Sequence, residues 1–158
     1  MIQRVQTIFM FLAAVSMFSL LFVKIWGKTD LKANQVAELN AYTLTYQQGD
    51  ELKFSKNVFY ISVLAFLSSS LSVGAIVSYK NLMRQIQLNL INILLILVIM
   101  GITLYQVFYV GEKLFNPEKQ GGYGIGFFLP LAAIFFINFA NRYIRKDYEL
   151  LKSVDRLR

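Results

Sequence analysis

Two pairs of asparagines are the side chains of this sequence best suited to bind something within an apolar helix. Asn89 and Asn92 are three residues apart, as are Asn138 and Asn141, so each pair lies on one side of a helix. Antiparallel helices would bring the pairs to a similar depth, where each interhelical hydrogen bond contributes about 0.6 kcal/mol. We interpret these residues as contacts that fix helix packing. The alternative is a polar ligand pocket that also includes Gln106.

Serines are concentrated in the region around residues 62–78. Within it, Ser70, Gly74 and Ser78 are spaced four residues apart, so they place small side chains in one stripe of a helix. Such a stripe lets two helix backbones approach closely. A serine nucleophile needs a neighbouring base, and this region contains no His, Lys or Asp. The stripe therefore predicts helix packing and not catalysis.

Cysteine and histidine are both absent from the 158 residues. Their absence removes disulfides, thiol nucleophiles, the usual zinc and haem ligands, and the commonest general base. We therefore expect a protein that is not an enzyme and that uses no cofactor or metal. We also expect no nucleic-acid partner.

The polar residues above lie within stretches that contain no Asp, Glu, Lys or Arg. There are four such stretches, residues 5–23, 57–79, 85–111 and 120–141, with lengths of 19, 23, 27 and 22 residues. About 20 apolar residues cross a hydrocarbon core of roughly 30 Å.

We predict an all-α membrane protein with one domain over residues 1–158 and four transmembrane helices. The predicted spans cover about residues 5–26, 57–79, 87–110 and 122–143. The first span resembles a signal peptide, but no small-x-small cleavage site follows it, so we expect it to be retained.

The distribution of basic residues predicts the orientation in the membrane. With a cytoplasmic amino terminus, every Arg falls on the inner side, and the short turn from Lys80 to Arg84 contains no acid. We therefore predict that both termini are cytoplasmic. Aromatic residues near the span ends, Trp26 among them, are predicted to be anchors at the membrane interface.

The outer loop, residues 27–56, contains an alternating segment that predicts a short β-hairpin. Tyr42, Leu44 and Tyr46 would share one face, and Leu52 and Phe54 would meet them across a turn at residues 49–50. Two strands alone are marginally stable in water, so the apolar face of the hairpin needs a cover. We expect it to fold back on its own helices; lipid or a partner protein is the alternative. A glycine-rich segment follows the second outer loop, and it predicts close packing or a flexible start to the fourth span. Its glycines are Gly121, Gly122, Gly124 and Gly126.

The carboxyl-terminal tail, residues 144–158, is predicted to extend the fourth helix into the cytoplasm. An apolar stripe on it needs a cover, which would be the helix or groove of a partner protein or the anionic inner leaflet. A basic flank that only holds topology is the alternative. The predicted partner-binding residues are Ile144, Tyr148, Leu151 and Val154 in the stripe, with Arg145, Arg156 and Arg158 beside it.

Three short motifs carry a resemblance to a known family. They are the opening residues 1–7, the segment 128–131 that contains Pro130, and the ending that runs from Ala140 through Arg145 to Arg158. The sequence resembles the Bacteroidota family known as domain of unknown function 4293. The resemblance implies a small four-helix protein of a bacterial inner membrane, and it implies no catalytic residues.

The leading functional hypothesis is a non-enzymatic accessory subunit of a larger inner-membrane complex, one that handles protein export or envelope assembly. Interaction surfaces outnumber reactive groups in this sequence, which favours that class. Its expected partners are other integral membrane proteins and lipids. The alternative is a small transporter, channel or lipid-binding protein built around the asparagines.

Overall fold

A computed structural model describes residues 3–30, 33–49, 51–114 and 121–155 of the chain; the side chains of residues 3, 4, 154 and 155 are not described. The helices are α1 (Gln3–Ser19), α2 (Tyr60–Val77), α3 (Leu82–Tyr105) and α4 (Ile125–Asp155). A π-helical turn, Gln106–Gly111, continues α3. The strands are β1 (Trp26–Asp30), β2 (Gln35–Leu39), β3 (Thr43–Gln48), β4 (Glu51–Asn57) and β5 (Gly122–Tyr123).

The four helices form a closed ring. α1 packs against α2 and α4, and α3 packs against the same two helices. Three helical segments are long and apolar enough to cross a membrane: Tyr60–Val77, Leu82–Gly111 and Ile125–Ser153. The apolar part of α1, Val5–Ser19, is shorter. α4 runs through the predicted end of the fourth span and into the predicted tail without a break.

The predicted all-α fold is wrong, because a five-stranded antiparallel sheet covers one end of the helix ring. Its strand order is β4-β3-β2-β1-β5. The predicted hairpin is only the β3–β4 part of this sheet, with Gly49 at a φ of +62° in the turn. β1 and β2 lie where a loop was expected, and β5 comes from the glycine-rich segment beyond α3. The inward positions of β1 include Lys28 and Asp30, so apolar–polar alternation did not reveal this strand, and β5 has its partner β1 far away in the sequence.

One face of the sheet packs on the helices. Trp26 pairs with Leu39 on β2, and Leu39 pairs with Leu44 on β3; all three side chains are fully buried. Two of the predicted hairpin contacts are missing from this face. Tyr42 lies before β3 and contacts the ring of Phe59. Leu52 is shifted by a β-bulge and is 57% exposed.

Trp26 is not the interface anchor that its position suggested. Its indole is fully buried beneath the sheet, because β1 begins at this residue where the first span was expected to end. A Cβ at Gly111 would lie 2.9 Å from the indole, and one at Gly121 would lie 2.3 Å from it. An added Cβ would lie 2.5 Å from the Lys24 carbonyl oxygen at Gly124 and 2.8 Å from it at Gly126. The glycines thus allow the sheet and the start of α4 to close around the indole.

Candidate functional site

A buried charge network lies between the sheet and the carboxyl-terminal end of α3. Lys28 and Asp30 are 3% and 4% exposed, on the same face of β1 as Trp26. The Lys28 ammonium donates to the Glu112 main-chain carbonyl at 3.1 Å and lies 3.4 Å from its carboxylate. The other carboxylate oxygen of Glu112 accepts a hydrogen bond from the Gly121 N–H at 3.0 Å. One carboxylate therefore joins β1, the end of α3 and the segment that leads into β5.

A second polar chain crosses the same interface a short distance away. The Lys56 ammonium of β4 donates to the Gln106 side-chain oxygen at 3.1 Å, and the Gln106 amide donates to the Tyr60 hydroxyl. Gln106 begins the π-helical turn, which closes with a bond of five-residue spacing from the Glu112 N–H to the Val107 carbonyl, at 2.9 Å. The extra residue in a π turn changes the direction of the side chains that follow it. Gln106 and Glu112, at the two ends of the turn, both contact the sheet.

The residues of this network are better suited to hold the sheet on the helices than to catalyse a reaction. A buried ion pair contributes little net stability, but it disfavours any arrangement that leaves one charge unpaired. No group of three acidic or other metal-ligating side chains occurs among the residues that the structure describes. We conclude that the network fixes how the sheet sits on the helices.

Sequence reasoning missed this network, since it placed Lys28 and Asp30 in the outer loop, residues 27–56. A signal was present. Trp26, Lys28 and Asp30 follow one another at a spacing of two, so a strand beginning at the tryptophan would turn both charges toward the core.

The predicted asparagine pairs have different partners from one another. Asn89 donates to the Asn141 side-chain oxygen at 2.7 Å and so links α3 to α4. Asn92 accepts from Ser68 at 2.6 Å and donates to Ser72 at 2.8 Å, which links α3 to α2. Asn138 is exposed and donates to the Ile134 carbonyl of its own helix at 2.9 Å. One predicted contact between the two pairs therefore forms, that of Asn89 with Asn141, whereas Asn92 and Asn138 bond to other groups.

The predicted small-residue stripe does not pack against another helix of this chain. A Cβ at Gly74 would meet nothing within 4 Å, and the Ser70 and Ser78 hydroxyls donate to carbonyls of α2 itself. α2 buries a different face, in which Ser69 donates to the Ala14 carbonyl of α1 at 3.1 Å. That buried face consists of Ile61, Ser62, Ala65, Ser68, Ser69, Ser72 and Ala75. Serines are so frequent in α2 that its sequence offers two small faces, and the spacing alone did not distinguish them.

At the end of the helix ring opposite the sheet, several buried polar atoms have no hydrogen-bond partner among the described residues. Gln85 donates to the Ala75 carbonyl at 2.8 Å, but its side-chain oxygen has no described partner, and neither polar atom of the Gln6 side chain has one. Both carboxylate oxygens of Asp147 and the side-chain oxygen of Asn89 also lack a partner in the described part of the chain. Of these residues, the sequence analysis singled out Asn89 alone.

A model of the family described as domain of unknown function (DUF4293) matches residues 2–157. The chain belongs to this family. No curated protein matches it. The DUF4293 description names no activity.

The predicted partner-binding tail is only partly exposed in this DUF4293 chain. Ile144 is fully buried and faces the helix ring, so it does not belong to an exposed stripe. Tyr148 and Leu151 are exposed, and they line a groove of about 370 Å³ together with residues of the α2–α3 turn. Arg145 is exposed and forms no ion pair within the described residues. The Val154 side chain, Arg156 and Arg158 lie outside the described part.

The ligand-pocket alternative for the amides has less support from this geometry. The Asn92 amide lies between two serines, and Gln106 lies between Lys56 and Tyr60. Polar groups that already bond to one another have less capacity to replace the hydration shell of a passing ion or solute. In this member of DUF4293, the surfaces are better placed than the interior for contact with other molecules.

Proposed function

We propose that this chain is a non-enzymatic accessory subunit of a larger membrane complex and that it binds its partner through the free edge of β4. The observation that carries the proposal is the position of β4. Among the described residues it is the outermost strand of the sheet and pairs only with β3, and six of its seven residues are exposed. A strand edge of this kind presents N–H and C=O groups that another extended segment can pair with.

The edge is only partly protected against such pairing. Proteins commonly protect edges with proline, charge or a bulge. Here a bulge between Tyr46 and Gln47 distorts the end of β4 near the turn, and Glu51, Lys53 and Lys56 are charged; the Lys56 ammonium is bonded to Gln106. From Phe54 to Asn57 the register is regular, Phe54 is exposed, and no proline interrupts it. This segment is the proposed contact.

The proposed location is a bacterial inner membrane, with both termini in the cytoplasm and the sheet outside. Three segments are long and apolar enough to cross a membrane. Arg84, Arg142 and Arg145 lie at the end of the helices opposite the sheet, which supports this orientation under the positive-inside rule. An outer sheet edge suits a complex for protein export or envelope assembly, and we propose that process for the partner.

Photo-crosslinking in native membranes tests the contact. A photoreactive residue in place of Ser55 lies on the free strand, whereas one in place of Thr45, its cross-strand partner, lies on β3 inside the sheet. We expect a discrete crosslinked partner from position 55 and a much weaker product from position 45.

Two results would contradict the proposal. The first is equal crosslinking from both positions, which would indicate contact with the outer face and not with the edge. The second is a bare, partner-free chain after purification in mild detergent together with no crosslink at position 55.

A further inference from the structure

A groove runs along α4 on the side that faces away from the helix ring. It encloses about 510 Å³, within the range of small-ligand sites. Its lining residues are Phe135, Asn138, Phe139, Asn141, Arg142 and Arg145.

The two ends of the groove differ in chemistry. Phe135 and Phe139 form an apolar end, and they are 64% and 44% exposed. Arg142 and Arg145 form a basic end and have no carboxylate partner among the described residues. Glu149 is four residues beyond Arg145, a spacing that often gives a salt bridge, yet no such pair forms. Two adjacent guanidinium groups without an acid are suited to a phosphate.

The groove also has the length of one membrane leaflet. Ten residues separate Phe135 from Arg145, which corresponds to about 15 Å along a helix, or half of a hydrocarbon core of roughly 30 Å. α4 begins at Ile125, so Phe135 lies near the middle of the bilayer and Arg145 near its inner surface. Tyr143, an aromatic residue typical of the interface, is exposed at the same level as the arginines.

We propose that this groove binds one anionic phospholipid of the inner leaflet. Arg142 and Arg145 bind the headgroup phosphate, and one acyl chain lies along Phe135 and Phe139. A headgroup that carries its own ammonium would place a positive charge beside two arginines, so a phosphatidylglycerol-type lipid is preferred over a phosphatidylethanolamine-type lipid. This site lies at the opposite end of the molecule from β4 and does not depend on the proposed partner.

Native mass spectrometry of the full chain tests the site. The protein is extracted from vesicles of equal parts phosphatidylglycerol and phosphatidylethanolamine, and the retained lipid is identified. We expect one tightly held phosphatidylglycerol. Each basic residue near an anionic lipid contributes a factor of roughly five, so Arg142→Gln with Arg145→Gln is expected to reduce retention about thirtyfold.

Two further variants separate the groove from general attraction to the membrane. Lys146→Gln with Lys152→Gln removes the same charge from the same helix outside this groove, and it is expected to retain the lipid as the unmodified chain does. Asn138→Trp keeps both arginines but fills the groove. Because Asn138 is exposed and bonds only within α4, this variant is expected to fold and to lose the lipid.

Three outcomes would overturn the proposal. They are equal retention of both lipids by the unmodified chain, equal losses in the arginine and lysine pairs, and full retention in the Asn138→Trp variant.

Discussion

At the scale of single residues, the Lys28–Glu112 pair and the Lys24–Glu38 pair have the same chemistry but different surroundings. Lys28 is buried beneath the sheet, whereas the Lys24 and Glu38 side chains are 47% and 35% exposed. Lys28→Met leaves the partly buried Glu112 carboxylate without its cation and is expected to cost about 1–3 kcal/mol of unfolding free energy.

The matched control is Lys24→Met, which is expected to change stability by about 0–1 kcal/mol because an exposed pair is screened by water. Denaturant unfolding in detergent measures both variants. Equal effects from the two substitutions would show that the Lys28 pair does not secure the sheet.

A second residue-scale prediction concerns Gly121. An added Cβ would lie 2.3 Å from the Trp26 indole, so Gly121→Ala forces the indole to move and is expected to cost about 1–3 kcal/mol. Trp26 is the only tryptophan, so its fluorescence reports the change directly, and we expect a shift to longer wavelength as water reaches the ring.

Gly101→Ala is the control for this experiment. Nothing lies within 4 Å of a Cβ at Gly101, in α3, so alanine there is expected to leave the emission unchanged and to stabilise the helix by about 0.5–1 kcal/mol. An unshifted spectrum in Gly121→Ala would contradict the packing described for Trp26.

At the scale of the helices, the contact between α2 and α3 depends on Asn92. Asn92→Leu removes its bonds to Ser68 and Ser72, and it is expected to cost about 0.6–1.7 kcal/mol of unfolding free energy. Asn138→Leu, which breaks only a bond within α4, is expected to cost less. Unfolding of both variants in the same detergent gives the comparison, and a larger loss in the Asn138 variant would contradict this assignment.

The helices were the predictable part of the fold, because charge segregation depends on composition within one stretch and not on distant partners. The contact between Asn89 and Asn141 could also be predicted, since the spacing within each asparagine pair and the antiparallel packing of the helices place the two pairs at a similar depth. The face of α2 that packs against the other helices could not be predicted, because serines occupy both candidate faces. The pairing of β1 with β5 could not be predicted for a different reason: Trp26 pairs with Tyr123 across almost a hundred residues. The partners of Lys28 in the buried network were equally hard to predict, because Lys28 can be placed near them only once the sheet is known.

At the scale of the whole molecule, orientation is the property on which the proposals depend. The chain contains no cysteine, so single substitutions report accessibility directly. Ser55→Cys on the exposed face of β4 is expected to react with a membrane-impermeant thiol reagent in intact cells, whereas Ser153→Cys near the end of α4 is expected to react only after lysis. The reverse pattern would place the sheet in the cytoplasm and would remove the basis for an outer partner.

The short first helix has a consequence for the surrounding lipid. The apolar part of α1, Val5–Ser19, is about 22 Å long, whereas the hydrocarbon core is roughly 30 Å thick. Beyond it, Leu20, Ile25 and Trp26 are buried, whereas Phe22 is 73% exposed. The apolar helical segment of α1 is thus shorter than those of the other three helices. If α1 crosses the bilayer with the other helices, as proposed, its short apolar length is expected to favour a thinner bilayer on that side of the molecule.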